Sequence, residues 1–226
     1  MNITYYGHSC FGVEIGGKHL LFDPFITPNE LAKEIDATTV KADYILITHG
    51  HNDHIADAVS IAKRTGATVV CNAEIAHWLE KQGLTNIHPM NIGGKKGFDF
   101  GSVKCVNAIH SSSLPDGSYG GNPMGFVIES TEKNFYYAGD TALTYDMKLI
   151  GEYRSIDFAF LPIGDNYTMG IDNAIIATQF INCSDIIGMH YDTFGLIKIN
   201  KEEAVYKFRL AGKKLSLLKI GETVSK

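Results

Sequence analysis

Apolar residues fall along this chain in short runs broken by glycine and polar residues, and the period of the runs changes along it. Residues 1–6 begin a strand at once. Residues 11–15 and 19–22 flank Gly16-Gly17 and read as a hairpin with a glycine turn. Helical spacing is expected at residues 29–35, 56–64 and 73–81, the last two stopping near Gly66 and Gly83. Between them Tyr44-Ile45-Leu46-Ile47 reads as a buried strand. A second strand-rich stretch covers residues 97–138. Helices then recur near 145–153, 172–181 and 201–210, separated by strands at 158–161 and 186–189, and residues 214–220 look like a closing strand. This order predicts an α/β fold of two sheets packed face to face with helices on both outer faces. The pattern runs twice, which points to two similar halves inside one domain, residues 1–226.

Candidate chemistry sits where the apolar runs end. His49-Gly50-His51-Asn52-Asp53-His54 follows the strand at 44–47 and places three imidazoles and a carboxylate in six residues. On a loop leaving a strand, His49 and His51 can point one way while Asp53 and His54 turn toward a neighbouring point, so one segment can serve two metals. Imidazole and carboxylate without thiolate suit Zn, Mn or Fe. Further donors stand at the ends of other runs: His110 after residues 103–109, Asp140 after Phe135-Tyr136-Tyr137-Ala138-Gly139, and His190 after Ile186-Ile187-Gly188-Met189. Carboxyl ends of strands are where α/β sheets gather ligands. Taken singly, His110 and His190 read as structural histidines and Asp140 as a turn or cap; together they complete a donor set. Asp23, before Pro24, is either a turn residue or the acceptor that fixes a ligand imidazole. His8 ends the first strand. The loop 111–123, small and polar, follows His110 and suits a binding loop or lid. Residues 167–169 and 193–194 follow strands on the same rim and are candidates to line a pocket.

With these residues the chain resembles the metallo-β-lactamase superfamily, whose H-x-H-x-D-H motif is followed in order by a His, an Asp and a last His. Finer features are similar to uncharacterised bacterial metal-dependent hydrolases close to the ascorbate-6-phosphate lactonase branch: Tyr6-Gly7-His8-Ser9-Cys10-Phe11, Leu21-Phe22-Asp23-Pro24-Phe25 and Met189-His190-Tyr191-Asp192-Thr193-Phe194 among them. The resemblance implies a four-layer αββα sandwich. It also implies two divalent metal ions, the first on His49, His51 and His110, the second on Asp53, His54 and His190, with Asp140 bridging. It places His8 near the pocket as a contact to substrate or to a ligand. The bridging position is Asp140 and not the Cys of drug-hydrolysing β-lactamases, and position 51 is not the Glu of flavodiiron relatives, so neither antibiotic hydrolysis nor oxygen reduction is expected.

Composition narrows the partners. A net charge of −5 and the lack of a long Lys/Arg cluster speak against a nucleic-acid footprint; the pairs Lys95-Lys96 and Lys213-Lys214 read as solvated turns. Cys10, Cys71, Cys105 and Cys183 show no C-x-x-C spacing and lie in or beside apolar runs, as buried free thiols do in a reducing compartment. With no signal-like start and no membrane-length apolar stretch, a cytoplasmic location and no membrane partner are expected; a homo-oligomer stays open.

The metals would lower the pKa of a shared water and stabilise developing negative charge, with hydroxide as nucleophile. Asp53 would orient that water or take its proton, and a metal-bound water or His8 would protonate the leaving group. The leading expectation is hydrolysis of a small anionic ester or lactone. A phosphodiesterase or nuclease is the alternative, and a metal-binding sensor or scaffold without turnover is the third.

Overall fold

Alternating side chains carry β1 (Asn2–Gly7), β2 (Cys10–Ile15) and β3 (Lys18–Phe22), antiparallel neighbours in the computed structural model, which describes residues 1–226. Gly16 and Gly17, at φ 57° and 72°, make the β2–β3 turn in the left-handed region, as a tight hairpin requires. Parallel strands follow, with helices as crossovers: β4 (Tyr44–Leu46), then α1 (Asn52–Ile55) and α2 (Ala58–Thr65), β5 (Thr68–Cys71), α3 (Ala73–Lys81) and β6 (Ile87–Pro89). The second sheet starts antiparallel with β7 (Lys95–Phe98), β8 (Gly101–Asn107), β9 (Met124–Glu129) and β10 (Phe135–Tyr137). It goes on in parallel through α4 (Met147–Tyr153), β11 (Phe158–Pro162), α5 (Ile171–Phe180), β12 (Asp185–Met189), α6 (Lys201–Leu210) and β13 (Lys214–Ser216). The chain ends in β14 (Thr223–Ser225), which returns to the edge beside β1.

Each sheet has seven strands, ordered β14-β1-β2-β3-β4-β5-β6 and β13-β12-β11-β10-β9-β8-β7. Pairing runs antiparallel, antiparallel, then parallel three times both along β1 to β6 and along β8 to β13. The twice-run pattern of the sequence is therefore a repeat of topology.

The pleat decides the layers. Leu20, Phe22, Leu46 and Val70 point between the sheets, where Phe11 meets Phe160 at 4.7 Å and Phe22 stacks on Tyr137 at 4.5 Å between ring centroids. Their neighbours Leu21, Ile45 and Val69 face outward onto Ile61, Ile75 and Leu79 of α2 and α3. On the far side, Met147, Ala177 and Phe208 bring α4, α5 and α6 onto the second sheet. The result is the four-layer αββα sandwich. Each fully buried Phe or Leu contributes roughly 1.5–3 kcal/mol by leaving water.

Three expectations need correction, and three short strands were not foreseen. The helix expected at 29–35 is only a 3-10 turn, Glu30–Ala32, because Asn29 caps Leu31 and bonds close at three-residue spacing from Ala32 to Asn29 and from Ile35 to Ala32. The strands β5, β6 and β14 are not apparent in the apolar pattern; each has only three or four residues, too short to show a period. Lys95-Lys96 lies in β7 and not in a turn, with Lys95 Nζ 2.7 Å from Glu129. Lys214 opens β13, while Lys213 Nζ donates to the Cys183 carbonyl at 3.1 Å. The four cysteines are buried free thiols. No helix is long and apolar enough to cross a membrane.

Candidate metal centre

Every donor named in the sequence leaves a strand at the same end of the sandwich. His49 follows β4, His110 follows β8, Asp140 follows β10 and His190 follows β12. The motif is not all loop: His51 stands at the N-cap of α1, and Asp53 and His54 lie in its single turn. That turn brings Asp53 to His8 and His190, while His54 stands between them and His49, its ring centroid 4.2 Å from that of His49.

The donors converge in three overlapping groups, within each of which the ligand atoms lie within 4.8 Å of one another: His49, His51 and His110; His8, Asp53, His54 and His190; and His49, His54 and Asp140. Asp140 is central. Its Oδ2 lies 2.9 Å from His190 Nε2, 3.3 Å from His54 Nε2, 3.5 Å from His110 Nε2 and 3.9 Å from His49 Nε2. All seven residues expected as ligands are thus brought together. His8 goes further than expected, since it joins the second group as a buried neighbour of Asp53, His54 and His190.

Asp23 is an acceptor and not a mere turn residue. It is fully buried and receives Thr48 N and Thr48 Oγ1 at 2.8 Å, His54 Nδ1 at 2.9 Å and Tyr137 OH at 3.2 Å. A carboxylate only accepts, so His54 carries a proton on Nδ1, and this bond turns Nε2 toward the cluster. Backbone strain gathers here: His8 (φ 55°), Asp23 (φ 43°) and His190 (φ 55°) are left-handed non-glycine residues, and His190 N donates to the His8 carbonyl at 3.0 Å, tying the sheets together. Gly139, at φ 63°, lets the chain pass Thr48 just before Asp140; a Cβ there would sit 2.7 Å from Thr48 Cγ2.

The electrostatics are those of a cation receptor. Burial pushes the pKa of His49, His51 and His110 down, most strongly for His49, so these imidazoles are neutral with lone pairs available. Asp140 is held well below the usual carboxylate range, its burial outweighed by His190 and His54. His54 is raised, because Asp140 and Asp23 on either side outweigh its burial. The ion-pairing partners of Asp23, Asp53 and Asp140 are all histidines; no Lys or Arg balances them. Asp140 Oδ1, His54 Nε2 and His190 Nδ1 are buried with no hydrogen-bond partner. An ionised Asp140, neutral imidazoles at His49, His51 and His110, a His54 whose proton a cation would replace, and buried ligand atoms without a hydrogen-bond partner fit divalent cations.

The cluster floors a cleft of about 650 Å³. Of the loop after His110 only Ser111 lines it; Ser112 accepts from Gly50 N at 3.0 Å and Leu114 is buried beneath, so the loop base is pinned. Tyr167 and Phe194 reach the cleft, whereas Met169 is core and Thr193 Oγ1 pairs with His8 Nδ1 at 2.9 Å. Sequence reasoning gave no role to Tyr137 or Thr48, which hold Asp23, and did not see that Thr193 holds His8. Their hydroxyls become informative only once the strands are aligned. Trp78 packs half-buried on the outer core, and His19, His77 and His88 stand apart from the site.

Residues 18–191 match the model of the β-lactamase superfamily domain. A UPF0173 metal-dependent hydrolase of Flavobacterium johnsoniae is 59% identical over 99% of both chains, and one of Bacillus subtilis is 44% identical over 99% of both. Among solved structures, Igni18, a metallo hydrolase of Ignicoccus hospitalis, superposes with a TM-score of 0.89 at 39% identity, covering 99% of this chain and 97% of that one. An isothiocyanate hydrolase from Delia radicum gut bacteria shares the fold at a TM-score of 0.77 and 18% identity, over 100% of this chain and 99% of its own. The chain belongs to the UPF0173 metal-dependent hydrolases of the β-lactamase superfamily.

Proposed function

We propose that this chain hydrolyses a small ester or lactone at a dinuclear metal centre held by His49, His51 and His110 on one side, by Asp53, His54 and His190 on the other, and by Asp140 between them. The observation that carries this is the position of Asp140 Oδ2 among four imidazole nitrogens, with His49 and His54 shared between donor groups. Divalent cations bound there supply water activation and charge stabilisation at an oxygen of the substrate.

The remaining work falls to side chains. Asp53 lines the cleft, and its pKa stays below the ordinary value because His8 and His54 outweigh its burial, so it is ionised at neutral pH and able to orient water or take its proton. His8 is pushed down to about 4 by burial and by His190, and is neutral. Its Nε2–H donates to Asp53 Oδ2 at 3.2 Å, which leaves Nδ1 to accept from Thr193 Oγ1. In this arrangement His8 positions Asp53 rather than serving as a ligand. The anionic substituent suggested by the resemblance would find no Lys or Arg in the cleft wall and would depend on the cations alone.

Element analysis after metal-free purification and reloading with Mn or Zn should return about two ions per chain, and profiling the loaded protein against lactones, phosphodiesters and thioesters should show turnover on carbonyl esters. A stoichiometry of zero overturns the centre; turnover confined to phosphodiesters overturns the substrate reading. Full loading with silence on every substrate would favour a sensor.

A further inference from the structure

The cleft wall is chemically lopsided. Beside His51 and Ser111 stands a lip made of Tyr167, Phe194 and Leu196, which are 51%, 40% and 66% exposed. Single exposed apolar residues are ordinary on a protein surface, but three lining one cleft beside a polar donor cluster, with no Lys or Arg among the lining residues, are not.

The lip is also rigidly built. Phe194 packs edge-on against His8 at 5.4 Å, and Ile197, the residue after Leu196, is fully buried. Asp192 fixes both ends of the strap: its N donates to the Ile197 carbonyl at 2.8 Å, its Oδ1 accepts from Ile199 N at 3.1 Å, and its Oδ2 pairs with Lys201 at 2.9 Å. A bridge between Gly164 and Gly170 closes the loop that carries Tyr167, and this loop follows β11, the parallel neighbour of the β12 strand that precedes Phe194. Apolar side chains held out into water by a fixed backbone are already in a binding conformation, so little ordering entropy opposes a ligand that covers them.

From these observations we propose that Tyr167, Phe194 and Leu196 receive an uncharged hydrocarbon substituent of the substrate, so that the centre selects esters or lactones with an apolar chain over those carrying a second carboxylate or a phosphate. This rests on the hydrolase reading and narrows its substrate. The scissile carbonyl lies at the donor cluster, and the substituent extends over the lip, where each methylene that leaves water adds to affinity while an anion would lose hydration with no side-chain cation in return.

The test uses two metal-anchoring probes of similar length, hexanoyl hydroxamate and the monohydroxamate of succinic acid, titrated calorimetrically into protein whose metal content has been measured. Hexanoyl hydroxamate should bind at least tenfold more tightly, and the ratio should fall toward one in the double variant Phe194→Ser, Leu196→Ser, which alters exposed positions only. Equal affinities, a preference for the succinyl probe, or a ratio unchanged in the double variant overturns the lip while leaving the centre standing. Failure of both probes on fully loaded protein overturns the lip and the hydrolase reading together. A dimer in sedimentation that separates in the double variant would give the lip to a second copy of the chain and also overturn the proposal.

Discussion

Asp23 accepts four hydrogen bonds while wholly excluded from water, and His54 owes its orientation to one of them. Replacing it with Asn keeps the volume but presents a donor NH₂ to a ring of donors. We expect Asp23→Asn to weaken metal binding about 10- to 100-fold, read by competition with a chromophoric chelator. A different signature is expected one layer further in. Asp140→Ala should lower occupancy at both sites because Oδ2 is shared, whereas His190→Ala should chiefly empty the second; element analysis of the two variants side by side decides, and equal negligible losses would contradict the assignment. For chemistry, Asp53→Asn should reduce kcat by a factor of 100 or more with a modest change in KM, as expected of a group that acts on water and cation more than on substrate. His8→Ala should show up as a smaller kcat loss without loss of a metal, since both ring nitrogens of His8 are engaged, by Asp53 and by Thr193.

At the level of elements, the short connections after the strands do the positioning. The Ala138-Gly139 segment after β10 shows how tightly: Gly139 and Gly17 share a left-handed backbone, but only Gly139 has a neighbour in the way, Thr48 Cγ2 at 2.7 Å from a would-be Cβ. Gly17→Ala should therefore cost only the conformational penalty, on the order of 1 kcal/mol. Gly139→Ala should cost more and also weaken metal binding by moving Asp140. Urea midpoints for both, with chelator competition for the second, separate conformation from collision. The same comparison of halves explains why one helix was expected and not found. α4 fills the β10–β11 crossover of the second sheet, while the matching β3–β4 crossover at 23–43 folds as 3-10 turns held by the caps Asn29 and Asp36.

Across the whole molecule the centre is a staple between halves. His49, His51, Asp53 and His54 come from the first sheet and His110, Asp140 and His190 from the second, so cations held as proposed would stabilise the packing of the sheets. Adding metal at about 1,000 times its Kd should raise stability by roughly 4 kcal/mol over the chelated protein, measurable as a shift in Tm. A second, pH-dependent tie lies far from the site. Glu129 of β9 is paired with Lys95 of β7 at 2.7 Å, with Tyr153 of α4 at 2.8 Å and with Arg154 at 3.3 Å, and these partners outweigh its burial and lower its pKa. A depressed folded pKa contributes stability that is complete above the unfolded value and is lost as pH falls through the folded one. The difference in urea midpoint between the wild type and Glu129→Gln should be largest at neutral pH and shrink as pH falls below the ordinary glutamate value.

By itself the sequence determined the cluster of candidate donors and the layers. The donors are legible because His49-Gly50-His51-Asn52-Asp53-His54 is dense in imidazole and carboxylate and follows an apolar run, and layers because side-chain period is fixed by backbone geometry. What stayed hidden depends on pairing in space. The three-residue strands β6 and β14 exist because a neighbouring edge accepts them, not because their own pattern demands it. His8 and Thr193 are 185 positions apart, Tyr137 and Asp23 are 114 apart, and no local period reports such contacts. The character of the cleft wall is likewise tertiary. Tyr167, Phe194 and Leu196 are unremarkable in their own loops, and only the side-by-side pairing of β11 and β12 brings those loops to one cleft as an apolar lip.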